Sequence, residues 1–219
     1  MTEPEKFKLA NILYGIVIPI ILVLLIYVLA VYVNPMGTEH VLGVEGAGAT
    51  IAVILTQGFA QMIVLGVPLV LGLLWNKWAG GAAGFIMGGM YYVASAGLYT
   101  GYYAGSSPAY NFYGDISMLF YMVNAIIIGY IAGSLNNGST NFKRMLGAGL
   151  TASMITAVIQ AYLNYNISLE PARTMAVQNW ATDPGYAILI NFVPSIALGI
   201  IVPIIGKVMT WYGIQPMRH

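Results

Sequence analysis

The chain has 219 residues, of which 59% are hydrophobic and 7% charged, with a formal net charge of +1. A soluble domain carries roughly 25% charged residues, so this composition excludes an ordinary water-soluble fold, and the dispersed bases exclude a general attraction to nucleic acid. The absence of cysteine removes disulfides, thiolate metal sites and cysteine nucleophiles together and leaves the redox compartment open.

A spanning helix needs about 20 mostly apolar residues. Six segments qualify in chain order, at residues 7–33, 47–75, 79–98, 116–135, 144–165 and 185–212. The expected fold is all-α: a polytopic membrane protein with a single domain over residues 1–219 and six transmembrane helices in one bundle. The first run is too long for a signal-peptide core and is followed by no cleavage-site pattern, so it reads as a retained helix. The second and sixth runs exceed one simple span, and Pro68, Pro194 and Pro203 are the expected bends. Trp75 and Trp78 flank Lys77, and Trp211 with Tyr212 closes the last run, as aromatic belts do at headgroup depth. No linker, low-complexity tract or inverted repeat divides the chain.

The charges sort by loop. Lys6, Lys8, Lys77, Lys143, Arg144, Lys207 and Arg218 fall in the termini and alternate loops, whereas Glu39, Glu45, Asp115, Glu170 and Asp183 fall in the loops between. By the positive-inside rule both termini are expected in the cytoplasm, in a multi-pass protein of a prokaryotic cytoplasmic (inner) membrane.

The third span places Gly80, Gly84 and Gly88 on one stripe at four-residue spacing. Gly129 with Gly133 repeats the device in the fourth span, and Ala148, Ala152 and Thr156 in the fifth. Lipid tails are as apolar as leucine, so helices associate in a bilayer by close packing, and small-residue stripes permit the closest approach. The stripes serve either packing inside the bundle or docking of a partner subunit.

Counted inward from the Asp115 side, Tyr91 and Tyr92, Asn124, Gln160 and Asn191 lie six to eight residues deep on four different spans. That is a common depth of about 10 Å at ~1.5 Å per residue. Gln57 is slightly deeper, with Gln61 a turn beyond on the same face. Buried amides must pair their donors and acceptors, so a shared depth implies either a hydrogen-bonded layer or a pocket open to the outside. The loop from Tyr99 to Asp115 lies above this layer. It has no base and is rich in glycine and tyrosine, which suits either a lid over a solute or rings resting among headgroups. In the fifth loop, Arg173 is the lone cation on that side. It would clamp a carboxylate or phosphate, or else pair with Glu170 or Asp183 at a wet surface.

Apart from Arg144 at the edge of the fifth span, spans two to six carry no charged group except Lys207 near the inner end, so an enzyme is not expected. His40 between Glu39 and Glu45 matches known metal-ligand sets poorly, and no metal or other cofactor is expected. Ion conduction lacks a filter-like loop or an intramembrane ring of charge.

The stretch Trp75-Asn76-Lys77-Trp78-Ala79-Gly80-Gly81-Ala82-Ala83-Gly84-Phe85-Ile86-Met87-Gly88, with Ile128-Gly129-Tyr130-Ile131-Ala132-Gly133, resembles the substrate-binding S components of energy-coupling-factor importers. The likeness is one of pattern over roughly residues 47–165. It implies a six-helix protein that captures a small organic micronutrient from outside and works with a transmembrane coupling subunit and two ATPases. Mapped onto this chain, it implies binding positions at Tyr99, Tyr102, Tyr103, Asn124, Gln160, Asn164, Arg173, Trp180 and Asn191. The first span offers only Ala10 and Gly15, five apart, where that family docks through alanines four apart. The start Met1-Thr2-Glu3 lacks the histidine of nickel and cobalt carriers, so the resemblance points to an organic solute. The leading expectation is solute capture in an importer, and the alternative is a structural or accessory subunit of a larger membrane complex.

Overall fold

The computed structural model describes residues 21, 60–102, 111–167, 169 and 184–212. Apart from Ile21, the first expected span (7–33) lies outside the described residues, as do the start of the second, the group His40, Glu39 and Glu45, and the pair Ala10 and Gly15. All regular structure among the described residues is helical. In chain order it comprises α1 (Ala60–Leu74), α2 (Lys77–Tyr102), a single 3-10 turn (Phe112–Gly114), α3 (Ile116–Asn136), α4 (Phe142–Asn166) and α5 (Pro184–Trp211). Three of these are long and apolar enough to cross a membrane: α3, α4 and the Phe192–Trp211 part of α5.

One element departs from expectation. The third span was expected to stop at residue 98, but α2 continues to Tyr102, so Tyr99 through Tyr102 are helical backbone rather than loop. At 26 residues α2 is about 39 Å long, more than one hydrocarbon thickness. Glycine and tyrosine read as loop-formers in water. Glycine is nonetheless common in membrane helices, where no solvent competes for backbone hydrogen bonds. The helices α1 and α5 run through Pro68, Pro194 and Pro203 without interruption.

The helix α1 meets all four others, while α2 with α3 and α4 with α5 form the two most extensive pairs. The α2–α3 pair is backbone against backbone. A methyl group added at Gly80 would stand 2.7 Å from the carbonyl carbon of Gly129, and one at Gly133 would stand 2.5 Å from Cα of Lys77. Gly84 meets the carbonyl of Ala125 in the same way, Gly88 meets Cα of Met122, and Gly72 brings α1 onto Gly129. All of the sequence-selected glycines, Gly80, Gly84, Gly88, Gly129 and Gly133, lie in this contact. The α4–α5 pair is closed differently. Pro203 leaves the Gly199 carbonyl without its i+4 donor, and Gly149 admits both that carbonyl (3.0 Å) and the proline ring (2.7 Å) to its added-methyl position. Between the two pairs lies an apolar centre of Leu69, Leu73, Ile128, Ala132, Met145, Ala148, Ala152, Leu198 and Val202.

Helix ends are closed by asparagines at one end of the bundle. The C-cap of α3 is Asn137 in the left-handed region (φ 48°), followed by Gly138 at φ 66°. Asn136, fully buried, donates from Nδ2 to Leu73 O at 2.6 Å and to Ser139 O at 2.9 Å. The first of these bonds satisfies a carbonyl in the last turn of α1 that has no partner within its own helix. Lys77, Lys143, Arg144 and Lys207 gather at this basic end. Lys207 Nζ donates to Thr140 O at 3.1 Å, and Arg144 Nε to Leu135 O at 3.1 Å.

Gly84→Leu should force α2 from α3 and lower the melting temperature in detergent, at a cost of about 1–3 kcal/mol or more. Gly147→Ala is the control. Nothing stands within 4 Å of its added methyl, so it should melt at or above the parent by virtue of helix propensity. Equal melting of Gly84→Leu and parent would mean that the contact is not the one that holds the pair.

Candidate functional site

The helix α4 turns a polar strip inward over its second half. Ser153, Thr156, Gln160 and Asn164 recur at spacings of three and four, so they share one face. Thr156 is satisfied locally, donating to Ser153 O at 2.9 Å and Ala152 O at 3.2 Å. Gln160 engages α3 instead, and Asn164 holds Gln160 from one turn further along α4. Asn124 Nδ2 donates to Gln160 Oε1 at 2.6 Å, and Gln160 Nε2 donates to Asn164 Oδ1 at 2.8 Å. The three amides are coupled in orientation: turning Asn124 alone would set its oxygen against that of Gln160, whereas turning all three together keeps both bonds and reverses their direction.

The inner end of that chain is incomplete. Asn124 is 3% exposed, and its Oδ1 has no hydrogen-bond partner. Ser153 Oγ, on the strip and fully buried, is also unpartnered, as is Asn136 Oδ1 at the basic end. In an apolar surround an unmet acceptor costs about 1–3 kcal/mol. The three amides therefore present neutral donors and acceptors to one another.

Tyr91 and Tyr92, expected at the same depth, join a different cluster. Tyr91 packs on Tyr121 with ring centroids 5.4 Å apart, and Tyr92 on Phe112 at 5.1 Å. Phe112, Ala96, Met118 and Tyr121 are buried beneath them. The 3-10 turn that carries Phe112 is fixed by Asn111, whose Oδ1 accepts from Gly114 N at 3.2 Å. Asp115, 1% exposed, then caps α3: its Oδ1 accepts from Ser117 N (2.9 Å) and Ser117 Oγ (2.6 Å), and its Oδ2 from Leu169 N at 3.1 Å. One carboxylate thus ties the start of α3 to the chain that leaves α4.

Of the sequence-selected positions, Asn124, Gln160 and Asn164 are brought together, and Tyr91 and Tyr92 meet the aromatic cluster. The side chains of Tyr99, Tyr102, Asn191 and Gln61 lie outside the described residues, as do Tyr103, Arg173, Trp180 and Gln57. Sequence reasoning missed Ser153, Phe112, Tyr121 and the capping role of Asp115. The Asp115 role was signalled, since an acid two residues ahead of a serine and an apolar run is an N-cap pattern. Among the described residues no three His, Cys, Asp or Glu side chains converge as a metal site. Comparison with protein-family models, with curated proteins and with solved structures gives no match.

Burial decides how the two amides respond to replacement. Gln160→Met leaves both polar atoms of Asn124 unpaired in a closed site and should cost about 1–3 kcal/mol. Asn124→Leu removes the orphaned oxygen and strands only the half-buried Gln160, so its melting temperature should stay near that of the parent. The double variant should recover most of the loss, and a purely additive cycle would mean that the pair is not coupled.

Proposed function

We propose that the chain is a six-span protein of a prokaryotic cytoplasmic membrane, with both termini in the cytoplasm, that captures a small neutral organic solute from the outer side for import. It does no chemistry on that solute. The observation that carries this reading is the Asn124 carbonyl, an unmet acceptor at the head of a three-amide chain deep between α3 and α4. A solute that donates an N–H or O–H to Asn124 Oδ1 would complete the chain, with the aromatic cluster around Phe112 above it. Neutral recognition suits an interior of low dielectric, where a charged clamp would carry a desolvation cost of several kcal/mol. The pattern resemblance to S components of energy-coupling-factor importers supports the same reading. It adds a transmembrane coupling subunit and ATPases as partners. The orientation rests on charge. All four described bases lie at one end and Asp115 at the other, as expected with the basic end in the cytoplasm.

Topology is checked by cysteine labelling in intact cells. Tyr113→Cys should react with an impermeant maleimide, and Asn137→Cys should react only after lysis; labelling of Asn137→Cys from outside would reverse the orientation.

Solute capture is checked by mass spectrometry of what co-purifies with the intact protein. The parent should retain a non-lipid organic molecule whose addition raises the melting temperature. Asn124→Leu should lose both effects while remaining folded. A parent that carries only lipid would leave the amide chain as internal packing and favour an accessory subunit of a larger membrane complex.

A further inference from the structure

The basic end of the bundle plays no part in solute capture, and it is the strongly charged surface among the described residues. Lys77, Lys143, Arg144 and Lys207 lie there, and Asp115, the one acid among the described residues, caps the opposite end of α3. Three of these four cations stand in the first turn of a helix: Lys77 opens α2, and Lys143 and Arg144 follow the start of α4. The helix dipole favours acids at such positions and opposes cations.

The local caps do not offset this. Asn76 Oδ1 accepts from Ala79 N at 2.8 Å, and Asn141 Oδ1 from Lys143 N at 3.0 Å. Both caps are neutral amides, whereas α3 is capped by a carboxylate at the far end. The protein contacts of the cations are neutral as well. Lys207 and Arg144 bond to carbonyls, and Lys77 Nζ stands 5.6 Å over the Trp78 ring and 5.7 Å over that of Tyr130.

We propose that this end binds the phosphodiester headgroups of anionic lipids, which supply the negative charge that the described side chains do not. A lipid is preferred to free phosphate because of what flanks the cations. Trp78, Trp211 and Tyr212 are each more than two-thirds exposed, as rings at headgroup depth are. Directly beyond Lys207 toward the middle of α5, Ile204, Ile205 and Ile201 are exposed, a surface on which acyl chains can lie. Each Lys or Arg near an anionic membrane surface contributes about fivefold to association.

The test uses the full chain in nanodiscs of phosphatidylcholine with or without phosphatidylglycerol, read by native mass spectrometry of retained lipid and by melting temperature. The parent should retain phosphatidylglycerol over phosphatidylcholine and melt higher in its presence, and inorganic phosphate alone should not reproduce the rise. Lys143→Gln with Arg144→Gln should lower phosphatidylglycerol retention by at least about fivefold while leaving phosphatidylcholine unchanged. Asn141→Asp keeps the cap bond and adds one negative charge, so it should lower retention by about fivefold even if the double variant does not fold. Equal retention of both lipids by the parent would overturn the proposal. So would indifference to Asn141→Asp, or an equal melting rise with inorganic phosphate.

Discussion

The contact between α2 and α3 governs the arrangement of the other helices, because it is made of backbone and leaves no freedom of distance. In water a bundle gains stability from moving apolar surface out of solvent. In hydrocarbon that gain is absent between helices, and close van der Waals approach takes its place. Gly80, Gly84 and Gly88 face Gly129, Ala125 and Met122 in antiparallel order, so each added methyl would collide with main chain rather than with a side chain that could swing away. Gly72 brings α1 onto the same Gly129. With α1, α2 and α3 locked at that distance, the apolar centre from Leu69 to Val202 is the space left for α4 and α5. Gly149 lets α4 settle on the Pro203 ring to fill it.

Electrostatics follow from the same economy of charge. The bases lie at one end beside the neutral caps Asn76 and Asn141, and the carboxylate of Asp115 lies at the other. Between them the polar groups are amides and hydroxyls. Such groups can be buried in hydrocarbon where hydrogen-bonded, as the Asn136 Nδ2 is to Leu73 O and Thr156 to its own helix. Asn124, Ser153 and Asn136 each break that rule with one buried unpartnered oxygen; the first two lie along the α3–α4 seam or its polar strip, and the third lies at the basic end.

The helices α2 to α5 and the glycine stripes were legible in the sequence because both depend on local periodicity: hydropathy over about 20 residues in one case, and a four-residue spacing in the other. The partner of each stripe was not legible, since which helix lies against Gly84 is a property of tertiary order. Depth was also readable. Asn124 counted from the start of α3 and Gln160 from the end of α4 fall at one level because the helices are antiparallel, and they bond to each other. Depth fixes height but not azimuth, and so it placed Tyr91 and Tyr92 with the amides although their rings turn to Tyr121 and Phe112. Asp115 was counted only as a loop charge. Its burial requires the main-chain amides of Ser117 and Leu169, and the second lies 54 residues away.

The amide chain and the aromatic cluster differ in what they can tolerate. Rings around Phe112 pack by shape and lose little if a neighbour shifts, whereas an amide in a low-dielectric seam must keep each partner or incur the desolvation cost of its polar atoms. A seam built wholly for stability would place an apolar residue where Asn124 stands, because Gln160 is half-buried and already donates to Asn164. An asparagine there adds one bond and one unmet acceptor, about 1 kcal/mol gained against about 1–3 lost, so it contributes no net stability. The residue is therefore poorly explained by packing alone. Under the proposed function, a solute N–H or O–H would meet the Asn124 oxygen without bringing a charge into the seam.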